Sequence, residues 1–116
     1  MKQIPVFFEM IDRTAMILKP KQPFLDWLNA IDPEVPGNKQ DNDYDVYLLP
    51  EFDEVNQMET WLKKNFDQFF CDQMNGWYTD ESRWVKNRTI KMFKEWFDYS
   101  LHSMVLDTQE EDIEKI

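Results

Sequence analysis

The sequence predicts an α+β fold in which a small sheet of three or four strands carries about three helices on one face. Three observations lead to this prediction. Aromatic residues make up 16% of the chain, which is ample material for a core. Two rows of apolar side chains recur at spacings of three and four, as on amphipathic helices. Short apolar runs, each closed by a proline, indicate strands.

The first strand is predicted over residues 14–19, TAMILK, an apolar run followed by a proline. The segment just upstream, PVFFEMI, is expected to be extended as well. Pro23 suits the first position of a helix, and apolar residues follow it at helical spacing. Pro33 ends that helix, because a proline disfavours helical geometry in the residue before it.

The polar segment from Pro33 to Asp45 is predicted to be a loop, and residues 44–50, YDVYLLP, the second strand. Asp53 and Glu54 favour a helix start, because acids interact well with the N-terminal end of the helix dipole. This second helix is expected to run to about Phe70 with one apolar row. The row consists of Val55, Met58, Leu62, Phe66 and Phe69.

Gly76 interrupts the second helix, and Thr79 or Asp80 can cap the segment after it. A third helix is predicted to start at Asn87 or Thr89 and to continue to about Tyr99, because a second apolar row begins there. That row consists of Ile90, Phe93, Phe97, Leu101 and Met104.

Residues 103–107, SMVLD, are predicted to form the third strand. If the first two strands share a sheet, the strand–helix–strand unit that joins them is expected to be parallel and right-handed. The length favours a single globular domain, which we assign to residues 1–107. Residues 108–116, TQEEDIEKI, are expected to form an acidic, disordered C-terminal tail.

The chain carries 13 basic and 23 acidic residues, a net charge of −10. Nucleic-acid binding is therefore disfavoured, because each phosphate contact would form against the overall field. No apolar run approaches membrane-spanning length and no secretory signal is visible, so we expect a cytoplasmic protein without membrane contact. With only Gly37 and Gly76 present, no phosphate-cradling loop is possible, and we expect no cofactor.

The ten residues NGWYTDESRW, 75–84, hold the densest chemistry in the chain. In a functional interpretation, the rings form a stacking platform for a sugar or a peptide, and charged residues supply polar contacts. The candidate binding residues are Trp77, Tyr78, Arg83 and Trp84. In a structural interpretation, Gly76 ends one helix and Asp80 caps the next. We favour the structural interpretation, because capping accounts for the acids without a ligand.

The segment from Arg83 to Lys94 has five basic residues and no acid. The five are Arg83, Lys86, Arg88, Lys91 and Lys94. On one continuous helix most of them would share a side, which could receive an acidic peptide or a phosphate. The alternative, which we favour, is that they neutralise the chain's own acidic segment 32–54.

His102 is the only histidine, and it shares helical spacing with Glu95 and Asp98, a pattern that would suit a metal ion. No second histidine or cysteine completes the set, and we predict no metal site. The single Cys71 excludes an internal disulfide. A Cys71–His102 catalytic pair is disfavoured because a helix C-terminus at Cys71 disfavours the thiolate. We assign no catalytic residue.

Four segments together resemble a family of small, acidic bacterial proteins. They are RTAMILKPKQPFLDWLNAIDPE, VYLLPEF, GWYTDESRW and RTIKMFKEWFDYSLHSMVLD, and they cover most of residues 12–107. The resemblance implies a bacterial cytoplasmic setting and carries no activity, ligand or catalytic residue with it. Within the KPKQPF block, Lys19 and Lys21 are candidates for binding, because they lie beside the predicted end of the sheet.

These patterns suggest two functions. The favoured one is a non-enzymatic protein-interaction domain with an unidentified protein partner, motivated by Tyr78, Trp84 and the absence of a catalytic motif. The alternative is a small-molecule-binding protein or an enzyme. Its pocket would be lined by Lys19, Lys21, Arg83 and His102. A third and weaker option is an acidic mimic of nucleic acid that binds a DNA-binding protein.

Overall fold

The structure, a computed structural model, describes residues 8–34 and 43–116. This part holds five strands, three α-helices and a short 3₁₀ helix. The strands are β1 (Glu9–Met10), β2 (Thr14–Pro20), β3 (Asp45–Leu49), β4 (Phe97–His102) and β5 (Leu106–Asp107). The helices are α1 (Gln22–Ile31), α2 (Val55–Asn75) and α3 (Ile90–Trp96), with the 3₁₀ helix at Glu81–Arg83.

The main sheet has the order β3-β2-β4, and the central strand β2 runs antiparallel to both neighbours. The prediction of a parallel unit is therefore wrong: Leu18, near the end of β2, pairs with Asp45 at the start of β3. Helix α1 is only about 15 Å long, and β3 starts at the end of the sheet where β2 finishes. Strands β1 and β5 form a separate antiparallel ribbon.

The two faces of the sheet differ in burial. Alternation along the strands directs Met16, Leu18 and Leu49 to one face, where they are buried in a common core with side chains of all three helices. On the opposite face, Val46 and Leu48 of β3 are 58% and 50% exposed. The predicted α+β fold, a small sheet with three helices on one face, is confirmed.

Helices α1 and α2 begin where the sequence predicts. Pro23 lies in the first turn of α1. Glu54 is the N-cap of α2, and its carboxylate and the side chain of Gln57 form a reciprocal capping box. Helix α2 continues to Asn75 rather than Phe70, and Gly76 ends it with right-handed φ. Val55, predicted in the apolar row, is 67% exposed because it lies at the first position of the helix.

Helix α2 is the longest, at 21 residues, but lysines, acids and amides interrupt its apolar row. Within residues 8–34 and 43–116, no helix combines the length and the apolar character that a membrane span requires.

The boundary between α3 and β4 differs from the prediction. Thr89 caps α3 as expected, its hydroxyl accepting the N–H of Met92, but the helix ends at Trp96 and β4 follows at once. The third helix was therefore predicted too long, and the strand predicted at 103–107 too late. A spacing of four residues, as from Phe93 to Phe97, satisfies both a helical face and the alternation of a strand. Residues 103–107 are all described by the structure. The strand among them is β5, which pairs with β1 in the ribbon.

The centre of the core is a phenylalanine cluster of Phe70, Phe93 and Phe97, each at most 1% exposed. Their ring centroids lie 5.2 to 6.1 Å apart. Because the three residues belong to α2, α3 and β4, their contact ties both later helices to the sheet. The helical parts of the two predicted apolar rows thus close over the same side of the sheet, whereas Phe97 and Leu101 of the second row lie in β4 itself and Met104 is 66% exposed.

Replacing Phe93 by alanine is expected to lower the free energy of unfolding by about 3–5 kcal/mol, because it removes a buried ring and leaves a cavity. Chemical denaturation followed by circular dichroism measures the change. Phe93→Leu, which keeps most of the volume, is expected to cost less than the alanine variant, and Val55→Ala, at an exposed site, within about 0.5 kcal/mol. Equal effects of Phe93→Ala and Val55→Ala would contradict the described core.

Candidate functional site: a lysine groove

The corner between α2 and α3, residues 76–84, is held by two tryptophan N–H groups. Nε1 of Trp84 donates to the carbonyl oxygen of Tyr78 at 2.8 Å, and Nε1 of Trp27 in α1 donates to that of Arg83 at 2.9 Å. Asp80 caps the 3₁₀ helix by accepting from Ser82, and this bonding holds the pKa of the Asp80 carboxyl below its ordinary value. These contacts support the structural interpretation of the corner.

The rings of the corner do not form one platform. Tyr78 and Trp84 are half-buried, and the ring of Tyr78 stands edge-on to Trp27 with centroids 5.9 Å apart. Trp77 is 53% exposed, and no ring contact joins it to the other two in this fully described corner. Trp77 therefore does not complete a stacking platform with Tyr78 and Trp84.

The basic segment 83–94 is not one helix. A 3₁₀ turn precedes it, Asn87 has the positive φ of 57°, and α3 starts only at Ile90. Asparagine tolerates this left-handed geometry better than most residues. The five basic residues therefore do not share a single helical side, and the packing of the elements decides where each charge lies.

Arg88 of the basic segment forms an ion pair with Asp67 of α2, so its positive charge is already paired. Its Nε and Nη2 approach the two carboxylate oxygens at 2.6 and 3.2 Å. In the described residues, no ion pair links the basic segment to the acids of 32–34 or 43–54. Residues 35–42 lie outside the described part, so the predicted neutralisation of segment 32–54 stays a prediction.

Four lysines, from α2, α3 and the junction of β2 and α1, line a surface groove of about 480 Å³. We call it the lysine groove. Its lining consists of Lys21, Lys63, Ile90, Lys91, Lys94 and Glu95. A smaller adjoining depression shares Lys63, Ile90 and Lys94 and adds Glu59 and Thr60. The sequence draws attention to Lys21, Lys91 and Lys94, and the structure brings them together.

The position of Lys21 follows from the sheet register. Lys21 comes directly after β2, and its N–H donates to the carbonyl oxygen of Trp96 at 2.8 Å. Its Nζ donates to the carbonyl oxygen of Lys94 at 3.2 Å. A cation at the C-terminal end of a helix is favourable, so Lys21 also stabilises the end of α3.

The positive charge of the groove is not balanced by ion pairs. Among the described residues, none of the four lysines forms an ion pair with a carboxylate. Of the two nearby acids, Glu59 already accepts the hydroxyl of Tyr99 at 2.9 Å, and burial together with this bond raises the pKa of Tyr99 to about 12. Glu95 is exposed and lines the groove together with the lysines. Like charges one turn apart, such as Lys91 and Lys94, are unfavourable in a helix without an anion beside them.

The other candidate residues lie apart from the groove. Lys19 and His102 are on the open face of the sheet, Lys19 beside the ring of Tyr44 at 5.3 Å and His102 hydrogen-bonded to Ser100. Arg83 lies in the corner. Of the four residues of the alternative pocket, only Lys21 therefore lines the groove.

A larger depression of about 540 Å³ lies beside the start of α2. Its floor includes Phe52 and Trp61, whose rings contact each other at 5.9 Å. The side-chain oxygen of Gln57, in its wall, accepts the N–H groups of Asp53 and Glu54 as part of the helix cap. The capping of α2 accounts for these polar groups without a ligand.

The predicted arrangement of Glu95, Asp98 and His102 on one helical face, which would suit a metal ion, is not formed. Glu95 is in α3, whereas Asp98 and His102 are in β4, so the three do not share a helical face. Residues 8–34 and 43–116 contain no group of three or more His, Cys, Asp or Glu placed to hold a metal ion. Cys71 lies inside α2 near Asp67, and burial raises the pKa of its thiol.

Lys63 is the residue of the groove that the sequence did not single out. It directly follows Leu62, a core residue of the predicted apolar row, and carries no local motif. Its role depends on α2 packing against α3, a tertiary contact that the periodicity of one helix does not reveal. The only sequence signal for the groove is the stretch without acids that includes most of α3. That stretch does not identify Lys63, which lies on the facing helix α2.

Asp67→Asn is expected to lower the free energy of unfolding at pH 7 by about 0.5–1 kcal/mol, because Asp67 is half-exposed and solvent screens its pair with Arg88. Hydrogen bonds from Arg88 hold the pKa of Asp67 below its ordinary value. Such a group stabilises the fold above its unfolded-state pKa of about 3.9 and loses the effect as pH falls through the folded-state value.

The difference between the original chain and Asp67→Asn should therefore shrink as the pH falls below about 4, in urea titrations at a series of pH values. Glu51→Gln, at an exposed site outside the ion pair, serves as the control and should change little at any pH. A difference that grows on acidification would contradict the ion pair.

No protein-family model, curated protein or solved structure matches the chain. The resemblance to a bacterial family therefore stays a prediction, and the function is inferred from the geometry of the surface.

Proposed function

We propose that the chain is a non-enzymatic interaction domain whose lysine groove binds an acidic segment of a partner protein. One observation supports this proposal above the others: Lys21, Lys63, Lys91 and Lys94 converge from α2, α3 and the junction of β2 and α1 without an ion pair among the described residues. A cluster of like charges costs free energy unless an anion neutralises it, and a bound carboxylate segment would do so.

Lysines suit several carboxylates better than they suit one small anion. Each ammonium is a compact charge on a flexible stem, so four of them adapt to acids spaced along a peptide. A dedicated phosphate site is more often built from an arginine fork or converging backbone N–H groups. The cations in the groove lining are lysines, and Arg88 is occupied by Asp67.

A short acidic segment also fits the net charge of −10 better than a nucleic acid does. At physiological ionic strength, charges more than about 8 Å apart are largely screened, so a peptide confined to the groove responds chiefly to its lysines. A long polyanion would extend over more of a chain whose net charge is −10, and that charge would oppose its contacts outside the groove. The partner is therefore a protein.

The proposed setting is the bacterial cytoplasm. This part of the proposal rests on the resemblance of the KPKQPF, VYLLPEF and GWYTDESRW segments.

A non-enzymatic role is supported by the polar groups whose pKa values are shifted most, because these groups form hydrogen bonds that stabilise the fold. Tyr47, for example, donates to Asp72 at 2.6 Å and accepts from Gln73, and burial raises the pKa of its hydroxyl. Such satisfied groups stabilise the fold and are not poised for catalysis.

Fluorescein-labelled hexaglutamate is expected to bind the 116-residue chain at low salt, measured by fluorescence anisotropy. The double variant Lys91→Glu/Lys94→Glu should weaken the binding at least about tenfold, because it reverses half the charge of the groove. Added salt should weaken the binding by the original chain.

The matched control is Lys64→Glu/Lys86→Glu, which makes the same charge change at lysines outside the groove and should alter the affinity less than about threefold. Circular dichroism verifies that both variants are folded. Equal losses in the two variants, or no binding by the original chain, would show that the groove does not bind acidic peptides.

A further inference from the structure

The last nine residues of the sequence, 108–116, are themselves an acidic segment. They carry four acids and one lysine. The acids are Glu110, Glu111, Asp112 and Glu114. The segment contains no helix or strand, and all of its residues are exposed. Its hydrogen bonds are local, from Gln109 to Asp107 and Thr108, so it gains nothing from packing on the domain.

We propose that the lysine groove of one copy of the chain binds segment 108–116 of a second copy, and that reciprocal exchange produces a symmetric dimer. The proposal rests on the proposed function, since it names a partner for the same groove. The charges are complementary in number, with four lysines in the groove and four acids in the segment. In an extended backbone, alternate side chains point the same way, so Glu110, Asp112 and Glu114 would face the lysines together.

The groove and the segment lie toward opposite ends of β4. Lys21 hydrogen-bonds to Trp96, immediately before β4, whereas segment 108–116 follows β5, beyond the far end of β4 at His102. The length of β4 alone separates these ends by about 17 Å. Docking into the same copy would require the segment to fold back over the domain. Exchange between two copies requires no such return and fills both grooves by one twofold operation.

Repulsion between two chains of net charge −10 opposes this dimer. The repulsion acts over long distances and is largely screened beyond about 8 Å at physiological salt, whereas the ion pairs in the groove form at contact. The dimer is therefore expected to be strongest at intermediate salt and weaker at both very low and very high salt. Hydrophobic association would instead strengthen or stay constant as salt rises.

The test is zero-length carbodiimide cross-linking of a mixture of nitrogen-15-labelled and unlabelled chains. Mass spectrometry of the peptides then shows whether each cross-link joins two copies or lies within one. We expect isotopically mixed cross-links between Lys63, Lys91 or Lys94 and the acids of segment 108–116. Cross-links of these lysines found only within one copy, or no cross-link to the segment, would overturn the proposal.

Charge reversal supplies the second arm, with dimerisation measured by sedimentation velocity. Lys91→Glu/Lys94→Glu and Glu110→Lys/Glu114→Lys should each weaken dimerisation at least about tenfold. Mixing the two variants should restore association, because the original groove of one meets the original segment of the other and the substituted positions carry opposite charges. Lys64→Glu/Lys86→Glu should alter dimerisation less than about threefold at physiological salt. No restoration on mixing would count against the exchange.

The outcomes separate this proposal from the proposed function. If the original chain binds hexaglutamate in the groove but yields no isotopically mixed cross-links, the groove receives acidic segments and the second copy is not its partner. If Lys91→Glu/Lys94→Glu affects neither hexaglutamate binding nor dimerisation, both proposals fail.

Discussion

The mutual burial of Phe70, Phe93 and Phe97 is the interaction on which the other features of the molecule depend. Each fully buried ring contributes about 1.5–3 kcal/mol relative to an exposed one, and these three join α2, α3 and β4. The same contact determines which surfaces meet outside the core. Lys63 reaches the lysines of α3 only because the phenylalanine cluster holds the two helices side by side.

The core was largely predictable from the sequence, because burial follows periodicity. Met58, Leu62 and Phe69 recur at helical spacing, and all three are buried. The end of α3 was not predictable in the same way, since Phe93 and Phe97 satisfy the spacing of a helix and of a strand at once. Only the pairing of β4 with β2 distinguishes the two, and that pairing joins residues far apart in the sequence.

The site was predictable in its parts and not as a whole. Lys21 was identified by the sheet end beside it, and Lys91 and Lys94 by the lack of acids around them. Their convergence with Lys63 depends on the order of the strands and the packing of the helices, which no local pattern carries. The corner at 76–84 shows the opposite case, because local capping chemistry accounts for Asp80 and two indole N–H bonds account for Trp27 and Trp84.

The direct passage from α3 into β4 has a consequence for recognition. No flexible linker separates Trp96 from Phe97, so the backbone that presents Lys91 and Lys94 is anchored to the central sheet through its hydrogen-bonded pairing with β2. A ligand would need to immobilise only the lysine side chains, since the main chain is already fixed, and the entropic penalty of association is smaller for such a preorganised surface.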